Sequence, residues 1–213
     1  VVGNHTITAS VTDSGGLTTT VNRSITINGV VTIPAAPTNP ATIESPAGTA
    51  VHSWTDASSN ETSFTVQRQQ KSGASWINST LFTGIAANST SFVNSPGQGV
   101  WRYRVRANNS AGSSVYTAFA NATPIGPTGQ AVSQSSGVVT FSWTDNSLFE
   151  ENFDVQRQQR VGTTWTNSTV FVQGANATSY VESPGSGQWR YRVRSKVPGK
   201  FSAYTGWATI TVP

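Results

Sequence analysis

The chain has 213 residues, 13 Lys+Arg against 9 Asp+Glu, no Cys, and only 10% charged residues. So little charge excludes a coiled coil, whose flanks are dense in Glu and Lys, and the lack of Cys excludes disulfide scaffolds, Cys-ligated zinc and thiol nucleophiles. Seven Trp, nine Phe and five Tyr exclude a disordered tail, and no apolar run approaches the ~18 residues of a spanning helix. No signal peptide opens the chain, so an export signal is expected upstream or already removed. Along the chain, Ile7, Ala9 and Val11 alternate with Thr6, Thr8 and Ser10, and Thr12-Asp-Ser-Gly-Gly16 reads as a turn before a second alternating run. This predicts a β-hairpin over 1–30, which alone is marginal in water. It is expected either to be the tail of a preceding domain or to pack on the next folded unit of the chain.

Beyond the hairpin the chain repeats itself. Ser53–Thr80 matches Ser142–Thr169 at 17 of 28 positions, and Ser95–Arg106 matches Ser183–Arg194 at 10 of 12. The offset falls from 89 to 88 between them, a one-residue change that belongs in a loop. The unit of about 90 residues is a domain rather than a solenoid repeat. Pro-rich joints at Ile33–Pro40 and Thr123–Pro127 precede the two copies, and proline makes such joints short and stiff. The predicted units are therefore 34–124 and 125–213.

Within each unit the hydrophobic period is two. Phe64 and Val66, then Trp101, Tyr103 and Val105, alternate with polar residues, as do Val139, Phe141 and Trp143. Gly/Pro/Ser/Asn clusters interrupt these runs every 8–12 residues, the pattern of a sandwich of short antiparallel strands. The opening Pro37 and Pro127, the second-strand Trp54 and Trp143, the FTVQR and FDVQR segments, and WRYRVRANNSAG and WRYRVRSKVPG together resemble fibronectin type III domains. The resemblance implies an all-β chain of two tandem antiparallel seven-stranded β-sandwiches, Ig-like, behind the hairpin. That family places Tyr at the head of its sixth strand, where the hydroxyl caps a corner; here Trp101 and Trp189 stand there, with an indole that donates and cannot accept. GNHTITASVTDSGG resembles the last two strands of a bacterial Ig-like or PKD-type domain.

The residues that carry chemistry are few. His52 aligns with Phe141 on the buried face of the second strand and reads as a core histidine; His5 lacks an acidic neighbour in sequence. Glu61 corresponds to Glu150 and Asp56 to Asp145, so these carboxylates read as duplicated loop supports bonding amides or an arginine, not a glycosidase pair. No dense oxygen-ligand loop is present, so neither metal nor cofactor is expected. Strand alternation turns Arg102, Arg104 and Arg106 outward beside Thr65, Gln67 and Gln69, and Arg190, Arg192 and Arg194 outward beside Asp154, Gln156 and Gln158. These arginines either cover the sheet or form a contact surface. Trp76 and Trp165 follow turns near a sheet edge, and either lean on the edge of the core or stack on a sugar ring. Trp207, which replaces Phe119, is expected in the core or as terminal cover. Nine Asn-x-Ser/Thr sequons read as chance in a chain rich in these residues, and no RGD is present.

The net charge of +4 is spread thinly rather than gathered in one patch, so no nucleic-acid partner is expected, nor insertion in a membrane. The WTDxS…NE phrasing resembles versions in secreted bacterial hydrolases. The resemblance implies a secreted, extracellular, non-catalytic accessory module that positions a protease or polysaccharide-degrading enzyme and contacts polysaccharide or protein substrate. Its partners would be upstream domains of the same polypeptide. The alternative is a stalk segment of a bacterial surface adhesin or extracellular filament.

Overall fold

The computed structural model describes residues 2–213. Strands β1 (Gly3–Thr12) and β2 (Thr18–Ile27) form an antiparallel hairpin in register from Gly3↔Ile27 to Thr12↔Thr18. The Asp13 side chain accepts the amides of Gly15 and Leu17 and so fixes the turn. The hairpin is a sheet of its own, with Ile7, Val11, Val21 and Ile25 exposed on one face.

The first sandwich packs the three-stranded sheet β3 (Thr38–Glu44), β4 (Ala50–Thr55) and β7 (Ser91–Asn94) on a second sheet. That second sheet has the order β10 (Ala120–Asn121), β8 (Trp101–Asn109), β5 (Ser63–Ser72), β6 (Ser75–Ala86), with β9 (Gly112–Ser113) also on β8. The second sandwich repeats this. β11 (Thr128–Ser135), β12 (Val138–Thr144) and β15 (Ser179–Glu182) face β14 (Thr164–Gly174), β13 (Asn152–Val161) and β16 (Gly187–Val197). β17 (Lys200–Phe201) and β18 (Ala208–Val212) both pair with β16. The chain is all-β, with two tandem β-sandwiches. Each holds seven strands if the interrupted last strand is counted once.

The alternation that predicts the strands also builds the cores. Trp54, Phe64, Val66, Trp101, Tyr103 and Val105 fill the first; Phe141, Trp143, Phe153, Val155, Trp189, Tyr191 and Val193 fill the second. His52 is fully buried in the first, 5.7 Å from the Trp54 ring and 5.8 Å from Tyr103. Phe141 occupies the same position against Trp143 and Tyr191. The indole N–H of Trp101 donates to Gly97 O at 3.0 Å, and that of Trp189 to Gly185 O at 3.1 Å. The corner is therefore capped by an indole donor reaching back four residues.

The last strand breaks because hydroxyls replace backbone carbonyls. Ser114 donates its N–H to Ala107 O and accepts Ala107 N–H on its Oγ at 3.0 Å. Thr117 does the same with Val105, at 3.1 Å. In the second unit Ser202 and Thr205 repeat both pairs on Ser195 and Val193. Each hydroxyl then donates to the carbonyl of the next residue. The segment stays bonded to the sheet edge, but its residues face outward with a period of three instead of two.

The units also meet. Glu44, buried at the end of β3, accepts the amides of Gly48 and Leu148 at 2.8 Å, the amide of Ile125 at 3.1 Å, and the Ser147 hydroxyl. Leu148 O accepts Gly99 N–H at 2.9 Å, and Lys71 pairs with Glu151. Phe149 is fully buried and packs with the first unit's core. A Cβ on Gly48, whose φ is +74°, would lie 3.0 Å from Leu148 Cδ1, so glycine permits both the turn and the approach of the second unit.

Candidate functional site

The outward-facing, half-buried arginines of β8 and β16 define the most organised surface of each unit. Residues two apart on a strand are ~6.8 Å apart, which leaves room for one aromatic ring between successive guanidinium planes. The period-three segment supplies those rings. In the first unit Phe119 lies between Arg102 (4.0 Å) and Arg104 (4.4 Å), and Tyr116 between Arg104 (4.2 Å) and Arg106 (4.7 Å). Trp76, from the edge strand β6, closes one end on Arg102 at 4.2 Å. In the second unit Trp165, Arg190, Trp207, Arg192, Tyr204, Arg194 and Phe201 alternate in the same way, with ring distances of 3.8–4.5 Å.

The edges of the guanidiniums are occupied too. Gln69 Oε1 accepts both Nε and Nη2 of Arg102, and Gln67 Oε1 accepts Nε of Arg104. Gln158 and Gln156 do the same for Arg190 and Arg192. Gln67 and Gln156 are themselves held by Ser79 and Ser168. Arg194 ends differently: Asp154 Oδ2 accepts its Nε at 3.2 Å and its Nη2 at 3.0 Å, and Lys196 adds a bond to Oδ1. Desolvation, then the charge of the neighbouring arginine, lowers the pKa of Arg102 and of Arg190; arginine nonetheless stays a cation.

All eight residues singled out from sequence thus come together, four in each unit, on the outer face of the larger sheet. The arginines do point outward, and each tryptophan already spends one ring face on a guanidinium. The sequence reading missed Tyr116, Phe119, Phe201 and Tyr204, and it left Trp207 between core and terminal cover; Trp207 sits half-buried in the outer stack and not in the core. The legible signal was the repeated Tyr-Thr-x-aromatic-Ala of 116–120 and 204–208. Its three-residue spacing matches neither strand nor helix.

The other candidates are structural. Glu61 accepts the Asn88 amide and the Ser58 hydroxyl, and the latter bond is the main cause of its lowered pKa. Glu150 accepts the Asn176 amide, and burial raises its pKa. Both carboxylates tie the loop after the second strand to the turn before the fifth. His52 Nδ1 lies 3.0 Å from Ala41 O and 2.8 Å from Thr42 Oγ1, and desolvation lowers its pKa to about 4. Among the described residues there is no pocket and no group of three or more metal-ligating side chains.

No protein-family model and no curated protein matches the chain. Among solved structures, the two-domain fibronectin type III segment from chicken tenascin aligns over 83% of this chain and 99% of its own, at TM-score 0.54 and 15% identity. The fold is tandem fibronectin type III. The FN1–FN3 domains of chicken CNTN1 cover 92% of this chain and 71% of their own at 13% identity, with a TM-score of only 0.37. In fibronectin type III terms, the arginine–aromatic stack lies on the four-stranded sheet, built from the sixth strand and the interrupted seventh.

Proposed function

We propose that this tandem fibronectin type III chain is a non-catalytic spacer of a secreted bacterial multidomain hydrolase, holding the enzyme in a fixed orientation. The observation that carries this reading is the joint. One buried carboxylate, Glu44, accepts donors from its own unit and from the next, so bending the joint would strip a charged group of its bonds. Leaving a buried polar group without its hydrogen bonds costs about 1–3 kcal/mol, and more for a charged one. The hydrolase assignment rests on the resemblance of the WTDxS…NE phrasing.

A distance measurement tests the spacer. The chain has no Cys, so Ala74→Cys with Thr163→Cys gives one clean pair of spin labels at exposed turns of the two units. The expected result is a single narrow distance distribution, broadened several-fold by Glu44→Ala. A broad distribution in the parent chain would reject a rigid spacer.

A further inference from the structure

The two stacks differ at one end, and the difference outlines a binding site. In the second unit the last arginine, Arg194, has a carboxylate at its edge (Asp154) and a ring on its outer face (Phe201, at 3.8 Å). In the first unit the matching residues are Thr65 and Ser113. Arg106 therefore has Tyr116 on one face at 4.7 Å and nothing equivalent on the other. Among the described residues its guanidinium makes no hydrogen bond. Its Nε is enclosed without a partner, while the terminal nitrogens are not enclosed. Asn108, where the second unit has Lys196, is already committed: its amide donates to Thr65 Oγ1 and Ser63 O, and its Oδ1 accepts the Ser113 hydroxyl.

We propose that the Arg106 end of the first stack binds a partner polypeptide through a carboxylate side chain set beside an aromatic ring. The second unit supplies the template. The partner's Asp or Glu would take the terminal N–H groups of Arg106, as Asp154 takes donors from Arg194. Its ring would cover the open guanidinium face above Ser113, where Phe201 lies in the second unit. Thr65 and Gln67 beside it are neutral, so no internal anion competes for the charge. Charge-assisted, paired N–H···O bonds are the strong class of hydrogen bond, and a stacked ring adds cation–π attraction to the same group. The site opens toward the joint with residues 1–33: Asn109 donates to Thr32 O at 2.8 Å, and a Cβ on the adjacent Gly112 would lie 3.0 Å from Ile33 Cγ2. A partner polypeptide meeting the first unit at its upstream end would reach it.

The test fills the site from inside. The full chain is titrated into a fluorescein-labelled peptide of alternating Asp and Phe, with fluorescence anisotropy as the readout. Versions carrying Asn for Asp, or Leu for Phe, run beside it. Thr65→Asp supplies the internal carboxylate and Ser113→Phe the internal ring. Each is expected to weaken binding at least tenfold, with a thermal melt run beside each to confirm that the fold is kept, since Thr65 and Ser113 also hold Asn108. Both altered peptides are expected to bind more weakly than the parent. The Arg106 Nε–H resonance should shift when the parent peptide is added, and Thr65→Asp alone should move it toward that of Arg194. Equal binding by the Asp and Asn peptides, undiminished binding by Thr65→Asp, or no saturable binding at millimolar peptide would each overturn the proposal. None of these readouts involves the Glu44 joint, so the site stands or falls apart from the spacer reading.

Discussion

At the level of single residues, the repeat makes each unit a control for the other. His52 and Phe141 share one core position, but only the histidine can take up a proton. Its Nδ1 donates to Ala41 O, while Nε2 is buried without a partner, so the neutral ring fits and the cation does not. The folded pKa of about 4 lies below the usual 6.5. At neutral pH neither state is protonated and nothing is lost. As pH falls below 6.5 the unfolded chain binds a proton that the folded one refuses, so stability falls until pH reaches about 4. The loss sums to about 3 kcal/mol. His52→Phe is expected to remove this slope, which urea unfolding followed at a series of pH values between 7 and 4 would measure. A parallel slope in both proteins would show that another group titrates. Asn78 and Asn167 illustrate the same control for backbone shape. Both have φ near +50°, both sit by a bulge after the third-strand arginine, and both donate to a glutamine there, Gln70 or Gln159. With Asn88 and Asn176, also at positive φ, four of the nine sequon asparagines have a conformational reason to be asparagine. Asn78→Ala is expected to cost about 1–2 kcal/mol because alanine pays the left-handed penalty, with Asn78→Gly near neutral by the same unfolding measurement.

At the scale of elements, period-two alternation revealed most of the strands, and with them the outward arginines, because one buried face writes its pattern directly into sequence. The rings between the arginines were not legible. Residues 114–119 and 202–207 bond the sheet through hydroxyls, so their aromatics recur every third residue and leave no strand signature. Trp207 stayed ambiguous for that reason: a tryptophan near the chain end reads equally as core or as terminal cover unless the segment is known to have left the strand pattern. The hydroxyls and rings form one device. Ser114 and Thr117 hold the segment to β8 while freeing Tyr116 and Phe119 to enter the stack. Phe119→Ala removes a ring that separates two cations, Arg102 and Arg104. Two cation–π contacts at about 1 kcal/mol each, with lost packing, predict a destabilisation of roughly 2–3 kcal/mol. Guanidinium-free denaturation, in urea, would register it as a lower midpoint at unchanged slope. A change under about 0.5 kcal/mol, the usual size for an indifferent surface site, would mean that the stack contributes little to stability.

Across the whole molecule, the informative positions are those where the repeats disagree. Ser59 and Asn60 of the first unit align with Leu148 and Phe149 of the second. Asn60 faces the joint to the hairpin and donates to Thr32 O, a polar contact at an exposed surface. Leu148 and Phe149 face the first unit, where Phe149 is buried in a core that is not its own. The same loop has thus been made apolar in the copy that has a folded neighbour. Sequence comparison exposed the substitution but not its meaning, because an apolar residue in a loop shows no period and its partner lies in the other unit. Sharing Phe149 couples the two units. If the second unfolds, the first loses a buried phenyl ring, and truncations of this kind cost about 3–5 kcal/mol. The chain is therefore expected to unfold in a single calorimetric transition, both units together. Leu148→Ser with Phe149→Asn, which restores the polar loop of the first copy, should separate it into two transitions and lower the first unit's melting temperature. The buried hydrogen bonds of Glu44 can survive that exchange in part, since the amide of residue 148 remains. If the parent chain already melts in two well-resolved steps, the shared phenyl ring does not couple the units, and the polar contacts of Glu44, Gly99 and Lys71 are left to hold the joint.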